Sequence, residues 1–481
     1  MSYDHGDAVT PRFPKYLFQE RLSSVEQVLP LARTRVRNRY SYSSFQSGAP
    51  FGDGRISSGA RLLIVTFPDQ NELVLDAIKQ ALVEEGAASV EHVFLSDVGV
   101  DLRMHTAADG WREITDRLEP MLAEGVTFNL EAHYLKQFLD DQPAVTGYYA
   151  GGAGSKAHWQ RAAGGAMQGQ WLYSKYESLI SRATSFPDEL WRLIDEKALA
   201  LFGDAEEVHI TDPQGTDVSW RVTEEQARLW PQGGNVPGHL LGSTIQAVRF
   251  ARPVDAFLNE AKQFMPTLNG VVAGTANHTG FFPHIEVTIE RGMISNIRGG
   301  GRYGKLWRDV VESYADVQYP GFPYKGWAFF NDASIGTNPK AHRNAEGLWE
   351  SHDSWTNLPE RLRAGVVHFG FGAEHWDETF LSYARDNKLP TMHFPHVHVY
   401  SPTWKIKQRS TGNWVNLIDQ GWLTVLDDPD VRRLASSLGG EHWLEYDWVP
   451  HIPGVNAPGN YMQDYGNDPV SVIRAEVAGE L

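Results

Sequence analysis

The chain has 481 residues, 42% of them hydrophobic, enough for a sizeable buried core and, by length, for two or three domains. Sixty acidic against 43 basic residues leave a formal charge of −17, and Lys and Arg are scattered. This argues against a nucleic-acid partner, because duplex binders neutralise phosphates with a basic face. There is no cysteine, hence no disulfide, thiolate ligand or cysteine nucleophile, and no apolar run approaches the roughly 18 residues of a membrane span. The opening MSYDHGDAVTPRFPKY lacks the basic-then-apolar pattern of a signal peptide, so a cytoplasmic protein without a membrane partner is expected.

Residues 1–55 hold few periodic apolar runs and close on Gly48, Pro50, Gly52 and Gly54, which reads as a helical arm and a loop. RLLIVT (61–66) is a short β-rich run. In 69–85, Leu73, Ala77, Ile78, Ala81 and Leu82 recur at helical spacing, and Gly86 follows as a stop. SVEHVFLS (89–96) reads as a second strand, so the three together imply a βαβ unit with parallel strands and a right-handed crossover. Helices are expected at 110–140 and 170–202. The Gly- and Ala-rich 148–171 between them has no GxGxxG after a strand and is not a dinucleotide loop; it reads as small-residue packing or as a loop near a site.

From residue 205 the texture changes. VHITDPQGTDVSWRV (208–222) looks like a hairpin with Gln214-Gly215 near its turn. Short strands are expected at 270–276, 284–300, 364–372 and 392–400, with a helix near 302–314. The sixteen tryptophans, several beside Gly, Pro or His, suit either ordinary packing or a pocket for a flat ligand.

The sharpest local signal is His393-Phe394-Pro395-His396-Val397-His398-Val399-Tyr400. Residues i and i+2 of a strand share a face, so His396 and His398 would present both imidazoles together, with Val397 and Val399 on the other side. Two imidazoles on one rigid strand are a common start to a metal site, since neutral imidazole binds Zn, Fe and Cu. Taken alone, the pair reads equally as two solvent-facing histidines on an edge strand. His368 stands inside the apolar run Val366-Val367-His368-Phe369-Gly370-Phe371-Gly372, where an imidazole must find a partner or bear a desolvation cost. Asp332 precedes Gly336-Thr337-Asn338-Pro339, a carboxylate before a turn-forming run that reads alone as an Asx-type turn. The three pieces fall within seventy residues.

In this order the pieces resemble the aminopeptidase T/aminopeptidase S metallopeptidase family and its non-peptidase relative, 2,5-dihydroxypyridine 5,6-dioxygenase. ITDPQGTDVSWRV (210–222) is similar to a family hairpin, Asn235-Val236-Pro237-Gly238 to its Asn-x-Pro turn, and Asn269-Gly270-Val271-Val272 to the strand after it. Residues 332–339, 365–372 and 396–403 resemble its carboxylate-turn, strand-histidine and His-x-Asp segments. The resemblance covers roughly 205–430. It implies a metalloenzyme, and the departures choose among kinds. The peptidases hold two ions on two glutamates, two histidines and an aspartate, with a catalytic tyrosine. Here those places hold His239 or Leu240, Asp332, His398 and His375, too few carboxylates for two divalent ions.

A single metal therefore fits better, with the dioxygenase's facial triad carried over to His368, His396 and His398. The resemblance implies a ring-cleaving, extradiol-type Fe(II) dioxygenase in aromatic compound catabolism. It would take O₂ and a hydroxylated aromatic or N-heteroaromatic substrate, with His239 or His375 as acid/base and Asp332 beside the metal. A zinc hydrolase, aminopeptidase or amidohydrolase, is the alternative, since three neutral histidines also suit Zn(II). A non-catalytic small-molecule binder is a third. The expected architecture is an N-terminal arm (1–55), an α/β domain with a parallel sheet (56–204) and a β-rich α+β domain carrying the metal site (205–481). A homo-oligomer is expected.

Overall fold

The computed structural model describes residues 22–37, 59, 61–66, 71–94, 147–150, 168–171, 182–230, 239–244, 259, 261–277, 280–318, 322–326, 328–343, 360, 362–372 and 396–480. The expected helix 110–140 lies outside them. β1 (Arg61–Thr66) and β2 (Ser89–Phe94) pair in parallel, with the helix Glu72–Glu84 between them in sequence. That helix is capped by Asn71, whose side chain accepts from Val74 N at 3.1 Å. Its residues Val74, Leu75, Ala77, Ile78, Ala81 and Leu82 recur at helical spacing and are buried with Val28, Leu29, Ala32 and Val36 of the helix Val25–Arg37. β3 (Gly147–Ala150) lies on the other side of β1 and β4 (Gln168–Trp171) beyond it, all parallel.

The helix expected over 170–202 starts later. β4 occupies 168–171, and the helix runs Asp188–Gly203 after a short turn at Arg182–Ser185. Pro187 stands at its N-cap, where its missing N–H costs nothing and its fixed φ suits entry into a helix. Leu190, Trp191, Ile194, Ala198 and Phe202 of this helix share one core with the strands that follow, so that core begins at Phe186, upstream of 205.

The remaining strands are β5 (Ala205–Thr211), β6 (Asp217–Arg221), β7 (His239–Thr244), β8 (Asn269–Asn277), β9 (Gly280–Glu290), β10 (Met293–Gly299), β11 (Phe330–Gly336), β12 (Val367–Phe371), β13 (His396–Val399), β14 (Thr403–Gln408), β15 (Trp414–Asp419) and β16 (Trp422–Leu423). They form one sheet in the order β16-β15-β14-β5-β6-β8-β13-β12-β11-β7, with β9 also on β8 and β10 on β9. The run 284–300 is not one strand: Arg291 and Gly292 both take positive φ, 53° and 76°, and turn the chain into the β9–β10 hairpin. Asp332 is not in a turn either. It lies inside β11, and the turn comes later, where Asn338 Oδ1 accepts from Lys340 N at 2.9 Å. Trp191 Nε1 donates to Thr337 Oγ1 at 2.9 Å, and the Thr337 hydroxyl donates in turn to Asp195. These bonds tie the end of β11 to the helix below it.

Alternation along β11, β12 and β13 separates two faces. Ala333, Ile335, Val367, Phe369, Val397 and Val399 enter the main core. Asp332, Ser334, His368, Gly370, His396 and His398 occupy the positions between them. A second apolar cluster, comprising Ala276, Val366, Tyr400, Trp448, Ile452, Tyr465 and Ile473, draws mostly on the C-terminal segment. Among the described residues no helix is long and apolar enough to cross a membrane.

Asp212, at the β5–β6 turn, ties that turn to the chain just after β13. It accepts from Gln214 N at 2.7 Å and from Ser401 N at 3.0 Å. Burial raises its carboxyl from 3.8 to about 6, against the lowering effect of those bonds. A folded-state pKa above the unfolded one contributes stability that is full below pH 3.8 and is lost as pH rises through about 6. Relative to Asp212→Asn, the parent should therefore be more stable at pH 4 than at pH 7.5, by up to about 3 kcal/mol. Urea denaturation of both proteins across that range checks this; a difference that does not change with pH would show that Asp212 titrates normally.

Candidate functional site

The site is assembled by register. Ser334 on β11 is opposite His368 on β12, His368 is opposite His398 on β13, and His398 is opposite Ala276 on β8. Two residues along, Asp332, Gly370 and His396 form a second row. Directly opposed residues share a face, and so do residues two apart, so all three histidines and Asp332 stand together. Gly370 places no side chain between Asp332 and His396. Gly274 lets β8 approach β13 closely: a Cβ there would lie 2.7 Å from Val397 Cγ1 and 3.0 Å from the His398 carbonyl oxygen. At His396, the Tyr303 hydroxyl takes the part of a neighbouring strand. It donates to the His396 carbonyl at 2.8 Å and accepts from the His396 N–H at 3.0 Å. Burial raises the Tyr303 phenol well above its ordinary value, so it stays neutral.

All of these side chains are buried. The His368 ring centroid is 4.6 Å from that of His396 and 5.2 Å from that of His398. His368 Nδ1 and His398 Nε2 face each other at 3.1 Å. The outer nitrogen of each ring faces a carboxylate: His398 Nδ1 is 3.0 Å from Glu360 Oε2, and His368 Nε2 is 3.9 Å from Asp332 Oδ2. Ser334 Oγ donates to the same Asp332 oxygen at 3.3 Å.

The sequence pattern does not single out Glu360, yet this residue organises its side of the site. Arg343 grips it in a fork, Nε to Oε1 at 3.1 Å and Nη2 to Oε2 at 2.5 Å, and the Tyr400 hydroxyl donates to both oxygens at 2.9 and 3.0 Å. Burial pushes the Glu360 carboxyl up, but the Arg343 charge and the bonds from His398 and Arg343 outweigh it and hold the group well below the usual range. An ionised Glu360 only accepts, so His398 Nδ1 is the donor. A neutral His398 then turns the lone pair of Nε2 toward His368.

Two arrangements satisfy the 3.1 Å approach. In one, His368 Nδ1 carries a proton and donates to His398, which turns the lone pair of His368 Nε2 toward Asp332. In the other, His368 carries its proton on Nε2, toward Asp332, and two lone pairs converge on a cation. Ligands about 2.1 Å from one ion at tetrahedral or octahedral angles lie roughly 3.0–3.4 Å apart, so the observed separation fits a shared ion. A ligating imidazole whose other nitrogen faces a carboxylate is the usual pattern of support. Among the described residues, no group of three or more His, Cys, Asp or Glu is arranged to hold a metal ion. The geometry thus presents a pair of facing nitrogens, with His396 adjacent on the same face.

The backbone of His239 pairs with Gly336, on the second strand over from His368. His375 lies outside the described residues, as does His393.

Removing the Glu360 charge leaves the Arg343 guanidinium buried without its partner. Glu360→Gln should cost about 3–5 kcal/mol in chemical denaturation. The double replacement Glu360→Leu/Arg343→Met should cost clearly less than the sum of its two single changes. Additive costs would show that the two side chains stabilise the fold independently.

No family model matches the chain, and no curated protein matches it. Among solved structures, it is similar to wild-type AmpT from Thermus thermophilus at 11% identity, covering 83% of this chain and 99% of that one with a TM-score of 0.44. It is also similar to 2,5-dihydroxypyridine dioxygenase from Pseudomonas putida KT2440 at 12% identity, covering 84% of this chain and 98% of that one with a TM-score of 0.41.

Proposed function

We propose that the chain is a metal-dependent enzyme whose ion is held between His368 Nδ1 and His398 Nε2. The observation that carries this reading is the 3.1 Å approach of two imidazole nitrogens, each ring having a carboxylate near its outer nitrogen. Glu360 fixes the tautomer of His398, and Asp332 does the same for His368 when its Nε2 is protonated. The third donor, His396, is assigned from the strand period and the sequence resemblance alone.

Within this class the reading is a ring-cleaving dioxygenase acting on a hydroxylated aromatic or N-heteroaromatic compound. It rests on the motifs of residues 205–430. Bound at the pair, Fe(II) would supply the redox chemistry that dioxygen requires and a positive charge for a ring hydroxylate. The chain's own contribution is orientation and exclusion of water: the histidines and their carboxylates are buried, with Tyr400 covering Glu360. Burial holds the Tyr400 phenol far above its ordinary value, so it donates to Glu360 and does not ionise.

Metal analysis of anaerobically purified protein, with an oxygen-electrode screen of hydroxylated rings, tests the proposal. The parent should contain about one iron, and at least one such ring should drive oxygen uptake. His398→Ala should lose at least about tenfold in metal affinity, as loss of a ligand exceeds loss of an outer partner. His398→Asp should retain metal, because its oxygen can enter the same position, though with weaker affinity through the shorter side chain. Equal metal in His398→Ala and the parent would remove His398 from the ligand set. Robust turnover of an aminoacyl substrate with added zinc or cobalt would favour a hydrolase instead.

A further inference from the structure

Arg363 lies three residues after Glu360 in the chain, and its N–H donates to the Glu360 carbonyl at 2.9 Å. Only 1% of the residue is exposed. Its guanidinium donates from Nη1 to the Trp448 carbonyl at 3.5 Å and lies over the Tyr400 ring, 4.9 Å from the centroid. Neither contact neutralises the charge. Arginine is almost never buried this deeply without a partner carboxylate.

The neighbouring carboxylate is already engaged. Glu360 is held by Arg343, His398 and Tyr400. Tyr400 supplies no second negative charge, being a neutral donor. The nearby buried cation Lys340 uses a different carboxylate, Asp447, at 3.0 Å, and shares it with Arg182. Two guanidiniums therefore share one carboxylate, and the cluster among the described residues carries an excess positive charge. Arg363 Nε and Arg343 Nη1 are both buried, and neither has a hydrogen-bond partner among the described residues. An orphaned buried donor is costly, and more so when the group is charged. Both guanidiniums border Tyr400; the charges of Glu360 and Arg343 both act on Arg363, and that of Glu360 acts on Arg343.

We propose that Arg363 and Arg343 bind a monovalent anion, a carboxylate or a halide, as counter-charge to the excess positive charge of the described residues in this cluster. The site is separate from the facing imidazole nitrogens and does not depend on a metal there. Arg343 and His398 share Glu360 Oε2, so an anion at the guanidiniums would act on the same carboxylate that sets the His398 tautomer.

Thermal unfolding of the metal-free full chain tests this, because a ligand that binds only the folded state raises the midpoint as its concentration grows. Sodium chloride, formate or benzoate would replace sodium sulfate at constant ionic strength. Arg363→Met, checked for folding by circular dichroism, provides the reference for general salt effects. The parent's midpoint should rise relative to that of the variant, and the difference should saturate. If Arg363→Met does not fold, Arg363→Lys takes its place. It keeps the charge without the fork and should need more formate for the same rise. Saturation with benzoate as well as formate identifies a site open to ring carboxylates, while saturation with chloride and formate alone identifies a closed small-anion site. Midpoints of parent and variant that run parallel in all three salts would overturn the proposal.

Discussion

Glu360 is a carboxylate kept from water, and the arrangement around the histidines depends on its charge. Ionisation in such a place is unfavourable, and Arg343, Tyr400 and His398 compensate it together. Because the group accepts and does not donate, it decides which nitrogen of His398 bears a proton. That decision determines what His398 presents to His368. Arg343 also donates to the Asn277 carbonyl and lies 4.7 Å from the Phe281 ring centroid, which anchors the ion pair to the β8–β9 end of the sheet.

The sheet supplies the precision that the ion pair alone would not. Three adjacent strands place Ser334, His368 and His398 in one row and Asp332 and His396 in the next, while Phe369 and Val397 fix the opposite face in the main core. A one-residue slip of β12 or β13 would turn its histidines into the core and its apolar residues toward the carboxylates. The register is therefore protected by two penalties of the same sign. The C-terminal segment packs Trp448, Ile452, Tyr465 and Ile473 against Ala276, Val366 and Tyr400, beside the polar rows. Within that segment Trp448 Nε1 donates to Glu476 Oε1 at 2.9 Å, and the same oxygen lies 2.7 Å from His451 Nδ1, which satisfies the segment's own buried charge.

The parts of this arrangement that follow a local period are readable from the residues. His396 and His398 alternate with Val397 and Val399, and the strand and helix at 61–84 carry their spacing in full. The strand through Asp332 is masked in sequence because Gly-Thr-Asn-Pro behind it is strong turn chemistry, which places the expected turn a few residues too early. The β9–β10 turn is hidden because Arg291, at positive φ, is none of the usual turn residues before Gly292. Glu360, Arg343 and Arg363 have no readable signature. Their relation is set by tertiary packing across 17 residues and across strands, and in sequence they resemble ordinary surface charge. Tyr303 is equally silent, since a helix tyrosine gives no sign that its hydroxyl will complete a strand edge on β13.

The central claim is that His368 Nδ1 and His398 Nε2 face a cation and not a shared proton. Nitrogen-15 NMR of histidine-labelled protein, recorded metal-free and with one equivalent of Zn(II), addresses it directly, with the rings assigned through His368→Gln and His398→Gln. The account predicts that those two nitrogens move together to metal-bound shifts, while His398 Nδ1 remains protonated toward Glu360. Resonances that do not respond to the ion, with one proton shared between the two rings, would contradict it.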